Sequence, residues 1–405
     1  MASGHSHSHR GRAPASPRSR TVLISLTVAL LLLTIFGLIR LWPDSDSRPE
    51  SAALLAPGVE ILSVEVTAIP GDTQPQESML VEATGRSGDI RDENVQVEVT
   101  PEIAADGIHT GDRIRVPAID EAGDDAPYFY FDHERGVPLG ALFVLYLLVV
   151  ALVARGAGLR AVLGLAAGVA IVVLFMLPAI LAGEDAVLVA LVGGSAMIFP
   201  CVYFAHGISI RTTTAVLGTF GGIAITVVAA LAAGRPAGMT GTDGEAAKLL
   251  AGSNPEVSLS AVFLAGVIIS GLGALNDVTI TQASSVWELR AAMPSASRWT
   301  VFSSAMRIGR DHIASTVYTL AYAYIGSALP TLLFASMLER SFLGTLAAGE
   351  IAAEVFRTLI ASIGLVLAIP LTTGIAALLA TSTGAAEKPV RKSRRQMLEE
   401  RLGVL

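Results

Sequence analysis

The feature that most constrains this chain is a succession of long apolar runs, at residues 21–41, 137–154, 161–182, 186–205, 212–233, 257–275, 312–333 and 358–380. Each is close to the roughly 20 residues that an α-helix needs to cross a hydrocarbon core of about 30 Å. Charged residues make up only 16% of the chain, where a soluble domain carries about a quarter. The expected fold class is therefore an α-helical polytopic membrane protein with about eight spans. The charges between the runs alternate in sign. One set of loops carries Arg155 and Arg160, then Arg211, then Arg290, Arg298, Arg307 and Arg310, then a tail with Lys388, Arg391, Lys392, Arg394, Arg395 and Arg401. The other set carries Glu184 and Asp185, then Asp243, Glu245 and Glu256, then Glu339, Glu350 and Glu354. The positive-inside rule then puts both termini in the cytoplasm of a multi-pass plasma-membrane protein.

Five domains follow from this pattern. Residues 1–20 read as a disordered cytoplasmic tail, rich in Ser, Pro and His, with four Arg and no acid. His5, His7 and His9 alternate with Ser there, and on a floppy chain they form no preorganised metal site. Residues 21–41 form an uncleaved anchor: the run is long for a signal peptide and no small-residue cleavage site follows. Residues 42–136 form an acidic extracytoplasmic domain with 21 Asp and Glu against six Arg and no Lys. Alternating stretches at 60–69, 79–84, 95–99 and 113–119 read as strands, and Gly, Pro and Asp turns separate them. A small β-rich barrel or sandwich is expected. Its acids read as a solvated surface, and none has the spacing of a calcium-binding loop. His133 and Arg135 read as headgroup anchors where the chain enters the bilayer. Residues 137–380 form the membrane domain and 381–405 a basic cytoplasmic tail.

The stretch 266–290, GVIISGLGALNDVTITQASSVWELR, starts as membrane hydrocarbon and turns polar without losing helical periodicity. Gly266, Ser270, Gly273, Asp277, Thr281, Ser284 and Glu288 recur at steps of three and four, one face of a helix. A single unbroken helix is expected, with Gly266, Ser270 and Gly273 packing against other helices. Its second half, with Asn276, Asp277, Thr281, Gln282, Ser284 and Glu288, is expected to line a polar cavity. An unpaired charge at mid-membrane costs about 3 kcal/mol or more, so an acid there marks a cation, proton or solute site. The competing reading has the helix leave the membrane before Asp277. The next run repeats the pattern: Arg307, Asp311, Ser315, Tyr318 and Tyr322 share one face, with Arg310 beside them. Arg307 and Arg310 are candidate partners for Asp277 or Glu288. His312 is the histidine read as nearest this cluster. Glu350, Glu354 and Arg357 read either as an outer gate or as a surface helix.

No metalloprotease helix, phosphate-binding loop or nucleophile elbow occurs. The single Cys201 supplies neither disulfide nor zinc site. No catalytic residue, cofactor, metal site or nucleic-acid partner is expected. Residues 271–289, GLGALNDVTITQASSVWEL, resemble the signature of the YibE/F-like family of bacterial membrane proteins, and the resemblance spans roughly 137–380. It implies a multi-pass plasma-membrane protein and no particular activity. Two functions stay open: a transporter or permease for a small cation or polar solute, and a non-enzymatic assembly or sensing protein whose external domain binds a protein partner. The lipid bilayer is a partner in either case.

Overall fold

A computed structural model describes residues 17–43, 59–70, 78–118, 127–339 and 341–381. The histidine-rich start and the basic tail lie outside these residues. The chain forms two compact units: one holds residues 50–156, the other residues 1–49 and 157–405.

In the first unit, β1 (Glu60–Ala68), β2 (Met79–Gly85), β3 (Asn94–Val99), α2 (Pro101–Asp106), β4 (Arg113–Ala118), β5 (Tyr128–Phe129) and β6 (Asp132–His133) follow one another, after α1 (Pro17–Arg40) of the other unit. The strands form one sheet in the order β5-β3-β2-β1-β4-β6. Alternation in the sequence becomes alternation in burial: Val64, Val81, Val97, Val99, Ile114 and Val116 are fully buried, and their neighbours along each strand are more exposed, apart from Pro117 beside Val116. The sheet has to curl. Its two edge strands, β5 and β6, are joined by Tyr130 and Phe131 alone, and a link that short spans only about 10 Å. Across a flat six-stranded sheet the edges would stand roughly 24 Å apart. The expected small β-domain is thus one curled sheet around one core, not a two-layer sandwich.

The chain leaves this unit along α3 (Gly136–Ile171), which continues through a π-helical turn, Val172–Met176, into α4 (Leu177–Leu181). This stretch counts as one apolar helix of 46 residues. At 1.5 Å per residue it would run to roughly 70 Å, more than twice a bilayer core. It is not one rod, because Arg155 breaks it with φ 52° and ψ −140°. The expected loop between Arg155 and Arg160 is reduced to that single break.

The rest of the helical unit comprises α5 (Ala186–His206), α6 (Ile210–Gly234), α7 (Glu245–Ser253), α8 (Leu259–Ser270), α9 (Leu272–Ala292), α10 (Arg298–Ser327), α11 (Leu329–Ser336), α12 (Phe342–Leu346) and α13 (Gly349–Thr381). Among the described residues, six helices are long and apolar enough to cross a membrane, or seven if α10 and α11, bent by 66°, are one span. The sequence count of eight treats the stretch broken at Arg155 as two.

The centre is the antiparallel pair α6 and α13. Gly218 faces Thr372, Gly222 faces Ala368, and Gly364 faces Thr226. Small residues at four-residue steps on both helices bring the two backbones close, the usual device where lipid removes any hydrophobic drive to associate. Ile198, Leu365 and Ile369 fill the surrounding core.

Three element boundaries differ from the sequence expectation. Residues 17–20 are the first turn of α1, not tail. The last span starts at Gly349 rather than 358, so Glu350, Glu354 and Arg357 lie on its first turns. Arg307 to His312 are helical, because α10 begins at Arg298, where Ser297 accepts the Thr300 N–H as N-cap.

Candidate functional site

The 266–290 helix is not unbroken. It divides at Gly271 into α8 and α9, although the backbone there keeps φ −82° and ψ −11° and the two pieces still pass as one 34-residue helix. The register of the polar stripe survives the break. What changes is the direction the stripe faces.

The bundle side of α9 carries Leu275, Val278, Thr279, Gln282, Val286 and Arg290. Thr279 hydrogen-bonds Thr219 of α6 at 2.7 Å. Gln282, 1% exposed, donates from Nε2 to the Ala305 carbonyl of α10 at 2.9 Å. Arg290 donates to the Ala296 carbonyl and closes the turn into α10. Asn276 leans inward too, and its Oδ1 is buried with no protein partner.

The opposite side of α9 is open. Gly273, Asp277 and Glu288 are exposed, with Thr281 and Ser284 half-buried between them. A Cβ placed on Gly266 or on Gly273 would meet nothing within 4 Å. Among the described residues, the expected packing against neighbouring helices is therefore not made at Gly266 or Gly273, while Ser270 is half-buried. The polar residues border a groove of about 670 Å³ on the flank of the bundle instead of an enclosed chamber. Asp277, Thr281, Ser284 and Glu288 line it from α9, His206 from the end of α5, and Ile308 from α10. The two serines nearest its floor spend their hydroxyl protons on their own helix: Ser284 donates to the Ile280 carbonyl and Ser285 to that of Thr281. Their oxygens and the two carboxylates add acceptors to a lining that also holds the Thr281 hydroxyl and the His206 ring.

Of the residues singled out from the sequence, Asp277, Thr281, Ser284 and Glu288 come together in the groove, while Asn276 and Gln282 turn into the bundle. Arg307, Arg310, Asp311 and Tyr318 lie on the exposed side of α10, outside the lining. Arg307 reaches Ser304 at 3.3 Å. Among the described residues, no ion pair joins Asp277 or Glu288 to Arg307 or Arg310. The histidine at the site is His206, not His312. The signal for His206 was its place at the end of an apolar run, on the loop side shared with Asp277.

A second polar hollow, of about 360 Å³, lies where the α6–α8 connection meets α10, α11 and α13. Glu354 and Arg357 form an ion pair there with both side chains about three-quarters buried, and Arg357 stands 5.5 Å over the Phe263 ring. Thr331 donates to Glu350 at 3.3 Å. These residues are thus not a fully solvated surface face. Among the described residues, no group of three His, Cys, Asp or Glu is placed to hold a metal ion.

The model of the family described as YibE/F-like protein matches residues 142–382, the whole helical region that carries both hollows. Comparison with curated proteins and with solved structures finds no match.

Proposed function

The chain belongs to the YibE/F-like family, and on that premise we propose that it is a transporter or permease-like protein of the plasma membrane, with both termini cytoplasmic. The groove on α9 is its solute path. Asp277 is the residue that takes the solute, a small cation or a proton. The observation that supports this is a carboxylate exposed in a polar groove, on a helix otherwise apolar enough to span a bilayer. An ionisable group on a membrane-spanning helix is costly, and by default it marks a functional site. Glu288 extends the acidic lining, and the His206 ring borders the same groove from the end of α5.

The test is flux through full-length protein in proteoliposomes, with an internal pH dye for protons and flame photometry for sodium and potassium. Asp277→Ala is expected to remove flux while leaving the elution profile in detergent unchanged. A variant with unimpaired flux would end the proposal.

The alternative is a non-enzymatic assembly or sensing protein whose β-domain binds a protein partner. What favours it is that the β-domain is a compact unit with a hydrophobic core of its own.

A further inference from the structure

The groove is half a site. Its floor is α9, its sides are His206 and Ile308, and the remaining side is open. The open side is not dressed for lipid. Along α8 and α9 it carries the exposed Gly266 and Gly273, then Asp277 and Glu288. The adjoining surface of α10 carries Arg307 and Arg310, with Asp311 one turn beyond the groove-lining Ile308. So an acidic face and a net basic face lie side by side on neighbouring helices. Among the described residues, none of these charges is neutralised by an ion pair. The two glycines leave open space where a partner backbone could approach closely.

We propose that a second copy of this chain covers the groove, with α9 of each copy lying along α10 of the other. A two-fold axis does what the single chain does not: it sets the acidic face of one copy against the net basic face of the other, and by symmetry does so twice. Unlike charges on adjacent faces of one surface are the self-complementary pattern such an axis needs, and each partner lowers the cost of holding the other near lipid. An unrelated protein would have to carry the matching pair of faces by coincidence. The two copies would turn two open grooves into one lined chamber. The pairing of the two copies does not depend on whether that chamber conducts.

The test uses full-length protein in its native membranes, in a Cys201→Ser background. Ser284→Cys with one tag is co-expressed with Ile308→Cys carrying a second tag, and the membranes are oxidised or treated with a short bis-maleimide. The expected product has twice the chain mass and carries both tags. It should be lost on adding Arg307→Glu and Arg310→Glu, and should return when Asp277→Lys and Glu288→Lys are added to the same chains. Val228→Cys, exposed on α6, should give no such product. Independently, wild-type protein extracted into lipid nanodiscs without detergent should count as two copies per disc. Single copies, or linkage of Ser284→Cys to a different protein, overturn the inference. Flux by single copies would overturn it and leave the transport reading standing; a dimer without flux would do the reverse.

Discussion

At the scale of single residues, α6 and α13 are held by three reciprocal contacts in which one partner is smaller than the other requires. A Cβ on Gly364 would sit 1.9 Å from Thr226 Oγ1, and one on Gly218 would sit 2.1 Å from Thr372 Oγ1. Thr226 has little room to yield, because its hydroxyl already donates to the Gly222 carbonyl. Gly364→Ala should therefore cost about 1–3 kcal/mol of stability through overpacking, despite the better helix propensity of Ala. Gly140→Ala, on α3, meets open space and should leave the detergent melting temperature unchanged or slightly raised. Equal losses for the two variants would refute the close approach of α6 and α13. Thr279→Val removes the bond to Thr219 while keeping the shape, and should cost about 1 kcal/mol; an unchanged melting curve would show that pair to be idle. Asp277, Thr281, Ser284 and Glu288 were legible in the sequence because their steps of three and four survive any packing. Asn276 and Gln282 were grouped with them only by adjacency in the chain. One position is 100° of helix, enough to turn each into the bundle. His206 joins from about 70 positions away in sequence, and no local pattern announces such a neighbour.

At the scale of elements, the four main strands were legible nearly to the residue, because period-two alternation under burial leaves little freedom of register. The two short edge strands were not, since two residues carry no period. Helix ends were harder to read for a different reason. Hydropathy reports where the membrane ends and not where the helix ends, so the charged stretch from Arg298 to Asp311 read as loop although the helix runs through it. The strands also carry a pH dependence. Glu65 on β1 lies opposite Arg113 on β4 in the ladder, and the Arg86 side chain donates to it at 3.1 Å. Chiefly through that hydrogen bond, with the charges of Arg86 and Arg113 adding, its carboxyl is held below its ordinary value. Hydrogen bonding from Arg135 does the same for Asp132 on β6. A carboxyl whose folded pKa is depressed contributes stability that is fully present above its unfolded pKa and lost as pH falls through the folded one. Amide-exchange protection of β1 and β4, corrected for intrinsic rates, should therefore hold steady from pH 7 to about 5 and fall below about 4. Arg86→Ala combined with Arg113→Ala should flatten that acid limb. If the limb persists unchanged in the double variant, Glu65 is not its origin.

At the scale of the whole molecule, the chain is two units with separate cores, one of strands and one of helices. Positional contrast in composition made this division legible: acids crowd residues 42–136 and leave the apolar runs almost free of charge. The facing of the α9 stripe was not legible, because periodicity fixes which residues share a face and not which neighbour that face meets. The division also separates the two candidate functions. If conduction belongs to the groove on α9, it belongs to the helical unit, and none of the groove's lining residues comes from the strands. Removing residues 45–135, with a short flexible link joining α1 to α3, leaves every helix of the family match in place. Such a chain should insert, elute as wild type and retain flux to within a few-fold. It should also lose any protein that co-purifies with the intact chain through the β-domain. Flux abolished in a well-folded deletion would mean that the strands take part in conduction. Flux absent from both forms, with a partner lost on deletion, would move the function to the β-domain and leave the helices as its mount. Because the lining of the groove and the core of the sheet share no residue, a single deletion can assign the activity to one unit.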